Sequence, residues 1–465
     1  MQRAGVHGIR SSQLYDRTSY QCDRRAGNAV TLTGTRHYVG FGFGAIQAGL
    51  FLYEAYQSDN FQRLTVAEVV PQVVDSIRRA DGMFALNIAQ ADRIERVQVG
   101  PIHIENPAVE ANRQRLIKAI AEAGEIGTAV PSVNYYVADG DSSLHRILAE
   151  GLRLKAATGK PRAVIYTAEN NNQAAEILEA QVMEAIPEAE QAAVRAKVRF
   201  VNTVIGKMSG VVTDAEEIRG QQLPQVTSDN SRAYLVEAFN RIQISQIDFQ
   251  GEPFARGISV FEEKADLLPF EEAKLYGHNA VHALAAYVGA MLKLRWIADL
   301  TTVPGAMAFI EGALLEESGA ALIHKYDGLD VSFTPSEYQA DAYTLLDRMM
   351  NPFLRDTVER VGRDPKRKLG WDDRLIGAMR LSLSQNIQPY RYAFGTAAAL
   401  AALEPSILHN KTKAEHILLP LWDGTNMVET EQRQVLELVE RGLQALRQWV
   451  AEGYPNLDAF YSRML

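Results

Sequence analysis

The chain has 465 residues, of which 47% are hydrophobic and 23% charged, and its formal net charge is −9. This length favours two domains, and the composition is that of a globular protein with a sizeable core. The acidic balance gives no electrostatic footprint for nucleic acid, while the single cysteine, Cys22, excludes a disulfide framework and a zinc site with several cysteine ligands.

The first 36 residues contain six arginines among many Ser, Thr and Gly residues. They lack the apolar segment of a secretory signal, and Asp16 and Asp23 argue against a transit peptide. We therefore expect residues 1–36 to be a disordered extension, or the product of a start codon placed too far upstream. No apolar run reaches the length of a membrane span, so we expect a cytoplasmic protein without a membrane contact.

A strand, a helix and a second strand are predicted where the regular structure begins. Residues 36–41 form a short apolar strand that runs into glycines, residues 45–57 have helical content, and residues 63–69 form the next strand. Such a unit of about 30 residues is typical of a parallel sheet. Further strands are expected at 126–130, 163–168 and 198–204, with helices at 109–123, 143–157 and 172–185. This alternation predicts a Rossmann-type doubly wound sheet.

The pattern changes in the second half of the chain. Residues 233–261 contain alternating segments, which predict a small antiparallel addition at the sheet edge. After Pro269 nearly everything is helical, with amphipathic helices at 281–297, 338–350 and 431–451. Proline suits the first turn of a helix, so the boundary falls just before it. The expected fold class is α/β plus all-α, with an α/β domain at 37–268 and a mainly helical domain at 269–465.

Glycines cluster where the first strand meets the first helix, at Gly40, Gly42, Gly44 and Gly49. Glycines let the backbone turn tightly and approach a pyrophosphate, whose charge is met by N–H groups at the helix N-terminus. This pattern predicts a dinucleotide site, and the alternative is a purely structural turn. The predicted cofactor contacts are those of Gly42, Phe43, Gly44, Ala45 and Ile46.

An acidic residue, Glu68, lies 24 residues beyond Gly44, at the end of the second predicted strand. A carboxylate there can accept hydrogen bonds from the ribose hydroxyls and would repel a 2′-phosphate, which favours NAD over NADP. The glycine pattern departs from the usual one at a single place. If Gly42 and Gly44 are the first two glycines of the fingerprint, the third position is Gln47, and Gly49 is the candidate for a compensating glycine.

A second cluster, Lys274, Asn279 and His282, has the spacing of a catalytic site. On an α-helix, Lys274 and His282 point within roughly 80° of each other, and Asn279 and His282 within about 60°. Oxidation of an alcohol needs a base for the hydroxyl proton and donors for the developing alkoxide. Lysine can be that base if burial lowers its pKa from about 10.4, and the other two side chains can supply the donors.

Each member of this cluster also has an ordinary interpretation. Lysines in helices are usually solvated, and a histidine on an apolar face is often a core residue. His278 and His282 have the spacing of a metal pair, but Asn279 stands where a zinc protease carries its glutamate. We therefore expect no metal.

The spacing Lys274-x4-Asn279-x2-His282, followed by Ala-Ala-Tyr-Val-Gly at 285–289, resembles the signature of the polyol-specific long-chain dehydrogenases and reductases. The resemblance spans roughly residues 37 to 400. It implies a zinc-independent, NAD-dependent oxidoreductase in which Lys274 is the general base. It further implies that Asn279 and His282 bind and polarise the reacting oxygen.

Two further segments carry the same resemblance. Glu169 and Asn170 are similar to the element near the nicotinamide, and Asn202 to an asparagine that helps to hold the substrate oxygen. The family's usual Val-Asp-Arg-Ile is replaced by Ile-Gly-Lys-Met at 205–208. A substrate role of the family's aspartate and arginine therefore does not carry over to this segment.

The segment 351–369 carries five basic residues within nine positions and is similar to the mannitol-1-phosphate 5-dehydrogenase branch of the family. Such a cluster can bind a phosphate or a carboxylate, and its alternative is a solvated basic loop. The resemblance implies a sugar or polyol phosphate substrate, mannitol 1-phosphate and fructose 6-phosphate, in a monomer or small homo-oligomer. A free polyol or hexuronate oxidoreductase, and a catalytically silent NAD-binding protein, remain open. The five are Arg360, Arg363, Lys366, Arg367 and Lys368, and the phosphate contacts are assigned to Arg360, Arg363, Arg367 and Lys368.

Overall fold

The structure, a computed structural model, describes residues 36–410, 412–425 and 427–464. The expected N-terminal extension therefore lies outside the described residues, apart from Arg36. The strands that the structure describes are, in chain order, β1 (His37–Phe41), β2 (Arg63–Ala67), β3 (Phe84–Ala89), β4 (Ile94–Val99), β5 (His103–Glu105), β6 (Glu125–Thr128), β7 (Ala163–Thr167), β8 (Val198–Ile205), β9 (Ser209–Val212), β10 (Ala233–Glu237), β11 (Ile242–Ser245) and β12 (Phe261–Lys264).

The larger sheet has the strand order β12-β11-β8-β7-β6-β1-β2-β5. Its six strands from β5 to β8 are parallel, and their order reverses between β1 and β6. In doubly wound sheets the ligand crevice lies at the carboxyl ends of the strands where the order reverses. The Rossmann-type sheet predicted from the sequence is confirmed.

A second, smaller sheet has the order β4-β3-β10-β9. Here the structure differs from the predicted addition at 233–261: β10 belongs to this second sheet, whereas β11 pairs antiparallel with β8 at the edge of the first. The hairpin of β3 and β4 was not predicted. All six residues of β3 are buried, so the strand lacks the polar–apolar alternation that reveals a half-exposed strand.

Helices cover the faces of the sheets in the first half of the chain. The helix after β1 begins at Ala45, passes through the π-helical turn Gln47–Leu52 and continues as an α-helix. The α-helices that follow are α1 (Tyr53–Ser58), α2 (Pro71–Arg79), α3 (Glu110–Glu122), α4 (Leu144–Ala157), α5 (Ala174–Glu184), α6 (Glu188–Arg195) and α7 (Ala215–Gly220). The predicted helices at 109–123, 143–157 and 172–185 correspond to α3, α4 and α5.

The second half of the described chain is almost entirely helical. Two π-helical turns, Ala273–His278 and Ala313–Gly319, interrupt its helices. The α-helices are α8 (Leu268–Glu272), α9 (Asn279–Met291), α10 (Ala306–Gly312), α11 (Ala320–Lys325), α12 (Pro335–Met349), α13 (Val358–Gly362), α14 (Pro365–Lys368), α15 (Arg374–Ser384), α16 (Tyr390–Leu403), α17 (Glu415–Trp422), α18 (Glu429–Ala451) and α19 (Leu457–Met464). The 3₁₀ turns of the described chain are Val133–Tyr135, Ile297–Thr302, Val331–Phe333 and Pro405–Leu408.

The helical core is built around α9 and α16, most of whose residues are buried. A Cβ atom on Gly395 would lie 2.9 Å from Leu284, so the small residue lets α16 approach α9 closely. This packing fixes the beginning of α9, which carries two of the predicted catalytic residues. Within the described residues, no helix combines the length and the apolar character needed to cross a membrane.

Candidate active site

The turn after β1 is tight on one side and open on the other. Gly42 has a φ of +81°, and its N–H donates to Ala67 O at 2.9 Å. A Cβ atom on Gly42 would lie 2.7 Å from Ala129 O, so only glycine fits. At Gly44 a Cβ atom would meet nothing within 4 Å, and the helix begins directly afterwards with Ala45 and Ile46. The space at Gly44 therefore lets a ligand come close to the backbone.

Gln47 is accommodated by a glycine on the strand beside it. The side chain is buried against Gly40, and its Nε2 donates to Tyr38 Oη at 2.7 Å. Gly49 instead faces the second sheet, where a Cβ atom would lie 2.5 Å from Val236. Close packing of the helix is thus divided between Gly40 and Gly49, which accounts for the missing third glycine.

Glu68 follows β2 and is buried against the glycine turn. Its Oε2 accepts the N–H of Phe43 at 3.0 Å, and its Oε1 accepts that of Val70 at 2.8 Å. The carboxylate therefore holds the turn in shape, and the N–H of Phe43 is engaged by protein rather than left open. A contact of Glu68 with a ribose stays a prediction.

Glu169 and Asn170 follow β7 at the same edge of the sheet, and the structure separates their environments. Glu169 is buried, and its carboxylate accepts from Thr128 Oγ1 at 2.8 Å, from Val130 N at 2.9 Å and from the hydroxyl of Tyr136. Burial raises its pKa, although these hydrogen bonds oppose the shift. Asn170 is exposed beside it. Glu169 thus ties the ends of β6 and β7 together beside the crevice.

Lys274 lies in a π-helical turn, which the α-helical spacing did not predict. In such a turn the hydrogen bonds join residues i and i+5, so residues five apart lie nearly on one face. The turn therefore brings Lys274 and Asn279 closer in direction than an α-helix would, and π-helical turns are frequent at functional sites. Asn279 then begins α9, and its side chain has no hydrogen bond to the other described residues.

Lys274 is partly buried and lines a cavity of about 160 Å³. Burial lowers its pKa to about 8, and the nearby charge of Arg374 adds to this shift. Its ammonium nitrogen has no hydrogen bond or ion pair within the described residues. Other members of the cavity wall are Gly206, His278, Tyr338, Asp341 and Arg348.

The two histidines of α9 and its preceding turn lie close together, with ring centroids 6.1 Å apart. His282 is buried, and its Nε2 lies 3.0 Å from Oδ2 of Asp356. Burial, helped by the charge of Arg348, holds the pKa of His278 well below its usual range. In the part of the chain that the structure describes, no three His, Cys, Asp or Glu side chains are grouped closely enough to hold a metal ion.

Asn202 lies on β8 and is turned toward α5. Its Nδ2 donates to the carboxylate of Glu176 at 2.8 and 3.1 Å, and its Oδ1 accepts the N–H of Ala175 at 2.8 Å. Burial, helped by the charge of Glu176, raises the pKa of Glu271 to about 7. Glu271 lies near Lys274, so Asn202 is part of the same region although its amide is occupied.

The predicted phosphate residues have different surroundings. Arg360 pairs with Asp356, and Arg367 pairs with Asp364 at 3.1 Å. Arg363 and Lys366 are exposed. Lys368 is buried, and its ammonium group donates to the carbonyl of Arg363.

Arg374, at the start of α15, is the cation that the sequence assignment missed. Its charge lowers the pKa of both Lys274 and Lys368, to about 8 in each case, with burial as the larger cause. The ring of Tyr276 in the π-helical turn fills the space at Gly377, one turn along α15. This contact holds α15, and with it Arg374, against the turn that carries Lys274.

The departure at 205–208 has a structural role. The Nζ of Lys207 donates to the carbonyls of Glu237 and Phe239 at 2.6 and 2.8 Å, and Gly206 O accepts from Arg348 at 2.6 Å. Arg348 also pairs with Glu237, which joins β10 to α12. The Gly-Lys pair thus secures the cavity wall beside His278 through backbone carbonyls.

The chain is similar in sequence to a family of known proteins. Residues 36–255 match the family model described as the mannitol dehydrogenase Rossmann domain, and residues 266–434 match that of the mannitol dehydrogenase C-terminal domain. The chain is 31% identical over 360 residues to a mannitol-1-phosphate 5-dehydrogenase from Bacillus licheniformis. That alignment covers 77% of this chain and 86% of the relative.

Two solved structures are similar in fold. A D-sorbitol dehydrogenase in substrate-free form has a TM-score of 0.72 and 13% identity, and the match covers 90% of this chain and 94% of that chain. Pseudomonas fluorescens mannitol 2-dehydrogenase, in a ternary complex with NAD and D-mannitol, has a TM-score of 0.57 and 16% identity, with 93% and 91% covered. At these identities the likeness concerns the fold alone.

Proposed function

The chain belongs to the mannitol dehydrogenase family, and from that premise we propose that it is an NAD-dependent enzyme that interconverts mannitol 1-phosphate and fructose 6-phosphate. Lys274 is the general base in this proposal, and no metal takes part. One observation carries the proposal: Lys274 lines a cavity, has no partner within the described residues, and has its pKa lowered to about 8 by burial.

A lysine with this pKa can exchange a proton near neutral pH. In the oxidation, neutral Lys274 takes the proton of the hydroxyl at C-5 as the C–H bond breaks. The hydride passes to the nicotinamide ring of NAD, which is the chemistry that the cofactor supplies. The products are the ketone, NADH and a lysine ammonium group, which then loses its proton to water. The reduction runs through the same steps in reverse.

The reacting oxygen also needs polar contacts. The amide of Asn279 has no hydrogen bond within the described residues, so it is free to donate to the developing alkoxide. His282 lies one turn further along α9 and is a second polar side chain that can contact the oxygens of the substrate. Asn202 can contribute only if its amide exchanges Glu176 for substrate, because both its nitrogen and its oxygen are engaged.

The glycine turn fits a dinucleotide pyrophosphate. The space at Gly44 is open, and the N–H groups of the first helical turn lie directly beyond it. Glu68 lies at the end of β2, where its charge disfavours a 2′-phosphate, so NAD is the proposed cofactor.

The phosphate of the substrate is assigned to the cations around Lys274. Arg374 lies close enough to lower the pKa of Lys274 and that of Lys368, and its helix α15 packs against the turn that carries Lys274. Arg374 already pairs with Asp373 at 2.8 Å, and an anionic substrate group would further offset its repulsion of the two lysines. The similarity to a mannitol-1-phosphate 5-dehydrogenase supports the same substrate class. Arg363, which is exposed, remains a further candidate.

A free polyol or hexuronate is the second candidate substrate. The ion pairs of Arg360 and Arg367 favour it, since these two guanidinium groups already have carboxylate partners. A silent NAD-binding protein is less well supported because Lys274 is left without a partner in the described chain. The cytoplasmic location and the small oligomer stay predictions.

NADH oxidation by the purified protein tests the proposal, with fructose 6-phosphate, fructose and fructuronate compared at equal concentrations. We expect kcat/KM to be highest for fructose 6-phosphate. Activity on an unphosphorylated sugar alone would keep the lysine mechanism and remove the phosphate assignment. Binding of NADH without turnover of any of the three would contradict the proposed activity.

A further inference from the structure

Asp356, in the segment before α13, is a buried carboxylate that lies against His282. Its side chain is 1% exposed, and its Oδ2 lies 3.0 Å from the ring nitrogen Nε2. The oxygen lies off the direction of the ring N–H, and neither atom has a hydrogen bond to another described residue. A buried polar atom without a partner costs free energy. At 3.0 Å, each of these two atoms is placed to be the partner of the other.

The second oxygen of Asp356 is held by an arginine. Oδ1 accepts from Nε of Arg360 at 2.8 Å. Burial alone would raise the pKa of Asp356, but the contacts with His282 and Arg360 bring it below its usual range. Asp356 is therefore ionised at neutral pH, and a carboxylate can only accept hydrogen bonds. The nitrogen of His282 that faces it must carry the proton.

The backbone around Asp356 is held in an unusual conformation. The preceding residue, Arg355, has a φ of +49°, a left-handed conformation that is strained for a residue other than glycine. Two backbone hydrogen bonds to the segment after α9 keep it there: Ile297 N donates to Asp356 O at 2.9 Å, and Val358 N to Arg295 O at 3.0 Å. The guanidinium of Arg355 also stacks over the ring of Trp296, 4.2 Å from its centroid. These contacts fix the direction in which Asp356 points.

We propose that Asp356 is a positioning residue that holds His282 with Nε2 protonated and turns Nδ1 toward the substrate. The inference rests on the proposed function. Nε2 is buried while His282 as a whole retains 9% exposure, so the accessible part of the ring lies away from Asp356. In the neutral ring Nδ1 is then an acceptor, which suits a substrate hydroxyl beside the reacting carbon. The amide of Asn279 then donates the hydrogen bond to the alkoxide.

Nitrogen-15 spectra of the histidine rings test the tautomer without any substrate. The chain has 9 histidines, and His282→Asn identifies the signals of this ring. We expect neutral His282 to carry its proton on Nε2 in the wild type and in Glu359→Gln, which removes an exposed carboxylate from the same segment. Asp356→Asn is expected to abolish this single tautomer. A proton on Nδ1 in the wild type, or an unchanged ring in Asp356→Asn, would overturn the inference.

Kinetics then separate positioning from a merely structural role. Asp356→Asn is expected to raise the KM of the sugar about tenfold while the Kd of NADH stays unchanged. In the His282→Ala background the same substitution is expected to cause no further loss, because it acts through the ring. If Asp356→Asn weakens the activity of the His282→Ala variant by the same factor as that of the wild type, the inference is overturned. If Asp356→Asn does not fold, Asp356→Glu keeps the carboxylate, and loss of the Nε2 tautomer in it would count against the proposal.

If the wild type turns over none of the sugars, the proposed function fails. The ring spectra still decide whether Asp356 sets the tautomer of His282.

Discussion

Two lysines with lowered pKa values lie in different halves of the molecule, and their surroundings differ. Lys155, on α4 in the Rossmann half, is fully buried, and its ammonium donates to three backbone carbonyls, those of Ala121, Ala123 and Pro161. Burial lowers its pKa to about 7. Lys274, in the helical half, has its pKa lowered to about 8 but faces a cavity and has no partner within the described residues.

The difference shows that a lowered pKa does not by itself identify a catalytic base. The ammonium of Lys155 has three N–H donors, and each donates to a backbone carbonyl, so its hydrogen-bonding capacity is used by the fold. Lys274 keeps its capacity for a ligand. The same contrast separates Gly42, whose space is filled by Ala129, from Gly44, whose space is open.

The largest effect is expected at Lys274. Lys274→Ala removes the base, so kcat for polyol oxidation is expected to fall about 10²–10⁴-fold. Binding of NADH, measured by fluorescence titration, is expected to stay nearly unchanged because the residue does not lie at the glycine turn. Lys155→Met is the matched control, and its folded fraction is expected to retain wild-type kcat. Near-wild-type turnover in Lys274→Ala would remove the lysine assignment.

At Lys155 the expected effect is on stability instead. Lys155→Met leaves three buried carbonyls without their donor, so the free energy of unfolding is expected to fall by about 3 kcal/mol. Urea denaturation followed by circular dichroism measures it. Lys274→Met is expected to change the free energy of unfolding by less, because no hydrogen bond is lost. Equal losses in the two variants would mean that the contrast between the lysines is unfounded.

The two glycines of the turn provide a second matched pair. Gly42→Ala forces a positive φ and a clash with Ala129 O, so it is expected to lower stability by about 1–3 kcal/mol. Gly44→Ala is expected to leave stability nearly unchanged and to weaken NADH binding, because its Cβ would occupy the open side of the turn. Thermal unfolding and NADH titration together check both. A Gly44→Ala variant that binds NADH normally would place the pyrophosphate elsewhere.

The smallest effect is expected at Arg374. Arg374→Leu removes a positive charge beside Lys274, so the pKa of Lys274 is expected to rise and the pH dependence of oxidation to move upward. The KM for fructose 6-phosphate is expected to rise about tenfold, with little change for fructose. Arg363→Ala, at an exposed position, serves for comparison. A larger phosphate-specific effect in Arg363→Ala would move the phosphate site to that residue.

The sequence was sufficient for the first strand, helix and strand of the Rossmann half because their signals are local. A strand that runs into Gly42 and Gly44, and an acid at the end of the next strand, occur within about 30 residues. The fully buried β3 carries no alternation, so the second sheet could not be predicted. Strand pairing over long sequence separations likewise has no local signal, which explains the misplacement of β10.

The candidate catalytic residues were found by spacing and resemblance, but their geometry was not. The spacing was interpreted on an α-helix, whereas Lys274 lies in a π-helical turn. Arg374 and Asp356 reach the site from segments about 100 and 74 positions away from Lys274 and His282, respectively, and only tertiary packing brings them there. The ion pairs of Arg360 and Arg367 show that a dense run of basic residues does not reveal which of them are free.

The pH dependence of kcat/KM for polyol oxidation tests the central claim most directly. Lys274 acts as a base only when it is neutral, so the rate is expected to rise with pH and to level off above about pH 8. The reduction needs the protonated form and is expected to decline over the same range. Lys155→Met is expected to show the wild-type profile. A rate that does not change between about pH 6 and pH 10, or a profile that moves with Lys155, would contradict the assignment of Lys274 as the general base.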